Sequence, residues 1–361
     1  MLFYSIIFLF ISILTIIESY TKRSDRKILD LLMILVLAIV SGLHGIGGSD
    51  MEVYSAAYNQ IPSIFEYIRN PLYFSEKIFH FEPGYLLIIS SFKTMGLDFY
   101  GYIFCQAIIF YTLMYIGLKR FTEYWGIVML VFLYKMFIYD TFVAIRQELT
   151  IAGFFILMPY LYKKNARKYF FGCAILVTIH YGAAILFPLY ILNYIKLTQS
   201  RLKILLLIFL PSVILARMGL GGNLNSMMVL INSSKGEAYS SGTEGLNIAY
   251  TIEYYILMLA VVVNYNRIAQ LKYGKFIIKL CLVILPIVTL FSGIVILRRE
   301  MDYFFPMYGI IGGYLCDTRQ SYKPIILAFY IIICYYGLSR YLTNFDKGGM
   351  IPYKTWIETS K

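Results

Sequence analysis

The chain alternates long apolar runs with short polar clusters from end to end. Crossing a bilayer takes about 20 apolar residues per helix, and suitable runs recur near 2–20, 28–43, 100–118, 125–140, 144–162, 204–218, 249–264, 276–296, 302–316 and 324–340. The pattern predicts an all-α polytopic integral membrane protein with roughly 10–12 transmembrane helices, forming a single transmembrane domain over residues 1–361. The first run, Met1 to Ile17, has no basic residues ahead of it and no small-residue cleavage site, and "TKRSDRK" follows it. It reads as a first span with its N-terminus outside, not as a removed signal peptide.

Two stretches resist a simple count. Residues 44–98 form an expected outer loop that ends in "PGYLLIISSFKTMG", too short an apolar piece to span. The second stretch is Tyr169 to Ile195, lying between the basic clusters "YKKNARK" and "KLTQSRLK". If both clusters face the same side, the chain must enter and return within 27 residues. As helix that is roughly 40 Å, well short of two crossings of a core about 30 Å thick. A re-entrant hairpin of two half-helices turning near "HYGAA" resolves this, and puts His180 at membrane depth on the lip of a cavity. The alternative is one tilted helix kinked at Pro188, with the following topology inverted.

Composition agrees with this pattern. Hydrophobic residues make up 60% of the chain and charged residues only 14%, with mean hydropathy +0.70, far from a soluble domain. The net charge of +12 points to no nucleic acid, because the basic residues sit in "TKRSDRK", "LKRFTEY", "YKKNARK", "KLTQSRLK" and "NRIAQLKYGK", between apolar runs. Such loops mark the cytoplasmic side. The five cysteines lie in apolar segments without ligand-like spacing and read as small hydrophobes. The opposite face then carries two long loops, 44–98 and 219–248.

Charged groups in or beside spans are costly, so each is a functional candidate. Arg146, in "FVAIRQELTIAGFF", opens a span on the outer side, against the positive-inside bias. Its bland reading is an interfacial arginine or a partner for Glu148. Arg217, Arg298 and Arg299 also fall at outer helix ends. Converging guanidinium forks there would make an anion clamp suited to diphosphate or carboxylate; the bland reading pairs one or two of them with Glu300 and Asp302. Asp50, Glu52 and Glu82 lie on the same face, where a carboxylate can act as general base or orient a hydroxyl. His180 can serve as a base, hold a phosphate, or bond backbone freed by the turn. No nucleotide-cradling glycine motif, HExxH, CxxC or GxSxG occurs, and neither a cofactor nor a metal is assigned.

"GGSDMEVY", then "FEPGYLLIISSF", then "FVAIRQELTIAGFFILMPYLYKKNARKYFFGCAILVTIHYGAAILFPLYIL", and finally "RREMDYFFPMYGII", occur in that order. In this the chain resembles the Wzy/EpsG-type bacterial polysaccharide polymerases over most of residues 40–315. The resemblance implies a metal-independent, GT-C-like glycosyltransferase embedded in the bacterial cytoplasmic membrane. Such enzymes join oligosaccharide repeat units built on undecaprenyl diphosphate and flipped outward. It implies Arg146, Arg217, Arg298 and Arg299 on the diphosphate, and Asp50, Glu82 or His180 near the acceptor hydroxyl. Implied partners are undecaprenyl-diphosphate-linked oligosaccharide, membrane lipids, a flippase and a chain-length regulator. The competing readings are a flippase of lipid-linked oligosaccharide, an O-antigen ligase-like enzyme, and a transferase using polyprenyl-phosphate sugar.

Overall fold

The computed structural model describes residues 1–45, 49–216, 248–345 and 350–359. Every regular element among them is helical. Arg217 and nearly all of the expected loop 219–248 lie outside the described residues. Among the described residues, three helices are long and apolar enough to cross a membrane: Leu2–Tyr20, Phe99–Phe121 and Gln320–Asn344. Shorter apolar helices include Trp125–Lys135, Tyr181–Asn193 and Ile248–Val263. The protein is thus an all-α membrane protein, with two compact units: Met1–Asn193 plus Leu327–Lys361, and Tyr194–Ile326.

In the first unit the helices are α1 (Leu2–Tyr20), α2 (Arg26–Leu43), α3 (Ser49–Gln60), α4 (Ile64–Tyr67), α5 (Pro71–Lys77) and α6 (Pro83–Thr94). They are followed by α7 (Phe99–Leu118), α8 (Trp125–Lys135), α9 (Phe137–Phe142), α10 (Ile145–Tyr162) and α11 (Ala166–Ile179). Local chemistry sets several boundaries. Asp98 caps α7 by accepting from the Gly101 N–H at 2.7 Å, and Asn165 caps α11 by accepting from Lys168 N–H at 3.2 Å. Pro83 stands in the first turn of α6, where its missing N–H costs nothing and its fixed φ suits the helix. The expected span at 125–140 divides into α8 and α9 at Met136, which no proline or glycine between 130 and 142 announces.

Long-range contacts order the ends of these helices. Glu18, at the end of α1, accepts from the Trp125 and Gly126 N–H groups at 2.7 and 2.8 Å, where α8 begins. Lys119, just past α7, lies 2.6 Å from Asp30 in the first turns of α2. The basic clusters 21–27 and 118–124 therefore share one end of the unit. At the other end, residues 350–359 tie together the start of α1, the end of α2 and the start of α7. Phe3 stacks on Tyr353 with ring centroids 4.1 Å apart, Gly45 N–H donates to the Lys354 carbonyl at 2.8 Å, and Tyr100 stacks on Trp356 at 5.2 Å.

The expected hairpin is present. α11 stops where His180 becomes extended (φ −152°, ψ 122°), and Tyr181–Asn193 continues as a 3-10 helix. That segment folds back along α11. Tyr169 O–H donates to the Leu186 carbonyl at 2.6 Å, Phe170 stacks on Phe187, and Tyr190 O–H reaches the Lys164 carbonyl at 2.7 Å. A single tilted helix kinked at Pro188 is excluded, because the chain returns to the residue before Asn165. The geometry closes because a 3-10 helix rises about 2.0 Å per residue. Its 13 residues therefore retrace the 14 of α11, with Pro188 accommodated inside.

In the second unit several expected spans are interrupted by prolines. The region 204–218 splits into Gln199–Phe209 and Ser212–Leu215 around Pro211, and 276–296 yields Gly274–Leu282 and Ile284–Val288, the latter containing Pro286. Polar loops in this unit are joined: Tyr265 O–H donates to the Leu197 carbonyl at 2.6 Å, and Arg319 Nε to Asn264 Oδ1 at 2.8 Å.

Candidate functional site

Three residues distant in sequence meet in the first unit. Glu82 stands at the N-cap of α6, Arg146 is the second residue of α10, and His180 is the break between α11 and the 3-10 segment. The Glu82 carboxylate joins them. Its Oε2 accepts from Arg146 Nη1, while Oε1 accepts from the Tyr181 N–H at 3.1 Å and lies 3.3 Å from His180 Nδ1. Glu82 is buried, yet the Arg146 and His180 side chains remain 22% and 23% exposed, so the cluster has a mouth.

Close approach of α6 to the hairpin depends on Gly84. A Cβ there would fall 2.3 Å from Thr178 Oγ1 and 2.8 Å from the Thr178 carbonyl, so any side chain would push the last turn of α11, and His180 with it, off Glu82. Arg146 is held by an aromatic box. Its guanidinium sits 4.2 Å from the Phe81 ring centroid and 5.7 and 6.0 Å from those of Tyr54 and Tyr85. Its Nε reaches the Tyr54 hydroxyl at 3.4 Å. Among the described residues Nη2 has no hydrogen-bond partner, and the side chain is 22% exposed.

A second layer fixes the start of α10. Gln106, on α7, donates from Nε2 to the Ile145 carbonyl at 2.9 Å and to Glu148 Oε2 at 3.2 Å, and its Oε1 accepts from the Tyr102 hydroxyl. The Tyr102 hydroxyl in turn lies 3.3 Å from that of Tyr85, behind Arg146. Arg146 thus pairs with Glu82 and not with its neighbour Glu148, which is buried and turned toward Gln106.

Of the expected site residues, Glu82, Arg146 and His180 come together. Asp50 is exposed on α3, one turn ahead of Tyr54 of the box. Arg298 and Arg299 end the helix Val295–Arg299 in the second unit, half-buried, with buried Glu300 and Asp302 following. Sequence reasoning missed Tyr54, Phe81, Tyr85, Gln106 and Gly84. Spacing held a faint signal for two of them: Tyr85 is three residues after Glu82, and Tyr54 four after Asp50, each one helical turn away. Among the described residues, no group of three or more His, Cys, Asp or Glu gathers to hold a metal ion.

The EpsG family model matches residues 27–355, nearly the whole chain and all three members of the cluster. The chain belongs to the EpsG family. As an EpsG-family protein it is a membrane protein of the polysaccharide-polymerase type. No curated protein and no solved structure matches it.

Proposed function

We propose that this EpsG-family chain polymerises undecaprenyl-diphosphate-linked oligosaccharide repeat units on the outer face of the bacterial cytoplasmic membrane, and that Glu82, Arg146 and His180 form its centre. The observation that carries this reading is the single buried carboxylate placed between a partly exposed arginine and a partly exposed imidazole. In glycosyl transfer from a diphosphate, the acceptor hydroxyl attacks the anomeric carbon of the growing chain. The bond from that carbon to the diphosphate oxygen breaks, and the lipid diphosphate leaves with the electron pair. Such a reaction needs positive charge on the leaving group and a base for the hydroxyl proton.

The residues divide those tasks. Arg146 meets the diphosphate and stabilises the charge that develops there, without moving a proton. His180 turns Nδ1 to Glu82, so with the proton on Nδ1 its Nε2 is free to take the acceptor's proton. Glu82 orients both. With the basic clusters of this unit at the cytoplasmic face, the 14 residues of α11 reach about 21 Å inward, short of a core about 30 Å thick. His180 then lies within the outer half of the membrane, where a lipid-borne diphosphate can meet it.

Sizing the lipid-linked glycans of a deletion strain, with a membrane-impermeant glycosidase to report sidedness, tests the reading. A missing polymerase leaves single repeat units on the outer face. Units trapped inside would instead indicate a flippase, and long chains on the lipid carrier a ligase; either result overturns the proposal.

A further inference from the structure

The turn that leads into Glu82 is built against its residues' preferences. Ile78 C=O accepts from the Phe81 N–H at 3.1 Å, and the two residues enclosed, Phe79 and His80, have φ of 53° and 51°. Positive φ at both central positions marks the type I′ turn, which strongly favours Asn-Gly because a Cβ crowds the backbone there. Ser75 O–H donates to the Phe81 carbonyl and holds the turn from the other side. Asn-Gly would close the same turn without strain. What it would not supply is an aromatic face and an imidazole, and both are presented outward: Phe79 is 44% exposed and His80 is exposed.

That face continues into the cluster. The Phe79 and Phe81 ring centroids are 5.9 Å apart, and the Phe81 ring carries the Arg146 guanidinium. An exposed ring, a buried ring and a partly exposed cation therefore follow one another in contact. Strained backbone kept beside a charged cluster points to use of the groups it displays.

We propose that the Phe79–His80 turn is a sugar-binding rim of this site. Resting on the polymerase reading, it assigns Phe79 to stack against the apolar face of a pyranose and His80 to hydrogen-bond its hydroxyls. A diphosphate on the anomeric carbon of that sugar then reaches Arg146. Phe65, Ile68 and Leu72 are also exposed in the preceding helices, as a lipid-contacting surface would be. Phe79 differs from them in being fixed by a strained turn against the aromatic box.

The test uses the full-length protein in lipid nanodiscs and, as probe, the repeat-unit oligosaccharide released by mild acid from a deletion strain's lipid. The double variant Phe79→Asn, His80→Gly relieves the turn, so it should melt at a higher temperature than wild type while binding the oligosaccharide at least about tenfold more weakly. Phe79→Tyr keeps a ring and should bind within about twofold of wild type. Wild-type affinity in the double variant overturns the rim, as does failure of the wild-type protein to bind the oligosaccharide. Unchanged affinity with weaker association to anionic lipid would make the turn a membrane anchor, and also overturns it. Polymerisation of the intact lipid-linked unit is followed in parallel. Oligosaccharide bound without polymerisation would sink the polymerase reading and leave the rim standing.

Discussion

The first unit holds two charged clusters, one at each end, and they differ in what their carboxylates do. At the end shared by the basic loops, Glu18 spends both oxygens on the backbone N–H groups that start α8, while Asp30 takes Lys119 and the Tyr115 hydroxyl. At the opposite end, Glu82 holds the Arg146 and His180 side chains as well as the Tyr181 N–H, and both basic side chains are partly exposed. Both Glu18 and Asp30 are wholly buried. A carboxylate spent on backbone N–H groups fixes a helix end. One that orients an arginine and a histidine toward space is prepared for a ligand. Charge in a membrane protein thus points to a site when a carboxylate orients partly exposed side chains rather than backbone.

The sharpest way to break this comparison is to neutralise one carboxylate at each end. Glu82→Gln keeps the shape but loses the charge that orients Arg146 and His180. Polymer formation should fall about 10²–10³-fold per folded molecule, beyond the stability lost by leaving Arg146 without its partner, about 3–5 kcal/mol at most. Full activity in that variant would remove Glu82 from the site. Glu18→Ala should lose stability alone. Two buried N–H groups lose their acceptor, stability falls by about 2–4 kcal/mol, and activity per folded molecule is retained. Thermal unfolding read alongside turnover separates the two outcomes.

Smaller effects sharpen the contrast. Gly84→Ala forces α6 away from Thr178 and should cost about 1–3 kcal/mol together with a loss of turnover. Adding Thr178→Ala should restore little, because the backbone carbonyl also blocks the Cβ. Asn165→Ala removes only the α11 cap, a change of about 1 kcal/mol with no change in turnover. A larger effect on turnover than on melting there would mean that the hairpin base is itself part of the site.

Much of this architecture was legible because membranes make some residues expensive. Arg146, Glu82 and His180 stood out as polar groups beside apolar runs, and length arithmetic favoured a hairpin at Tyr169 to Ile195 over one tilted helix. The aromatic box was not legible. With 35 tyrosines and 27 phenylalanines in the chain, nothing distinguishes Tyr54, Phe81 and Tyr85 until the fold gathers them around a guanidinium. Nor does local preference announce the Phe79–His80 turn, since neither residue ordinarily forms one. Gln106 was hidden for a related reason: within a long apolar helix it gives no sign of which neighbouring carbonyl it will meet.

The central claim is that Arg146 acts on a diphosphate during chain growth. The most direct measurement compares Arg146→Ala and Arg146→Lys in a deletion strain, at matched membrane levels, by sizing the glycans that remain on the lipid carrier. The alanine variant should leave single outer-face repeat units and no polymer. The lysine variant should make some polymer but less than wild type, because a point charge cannot reproduce the guanidinium fork. Polymer of normal length and amount from the alanine variant would contradict the account.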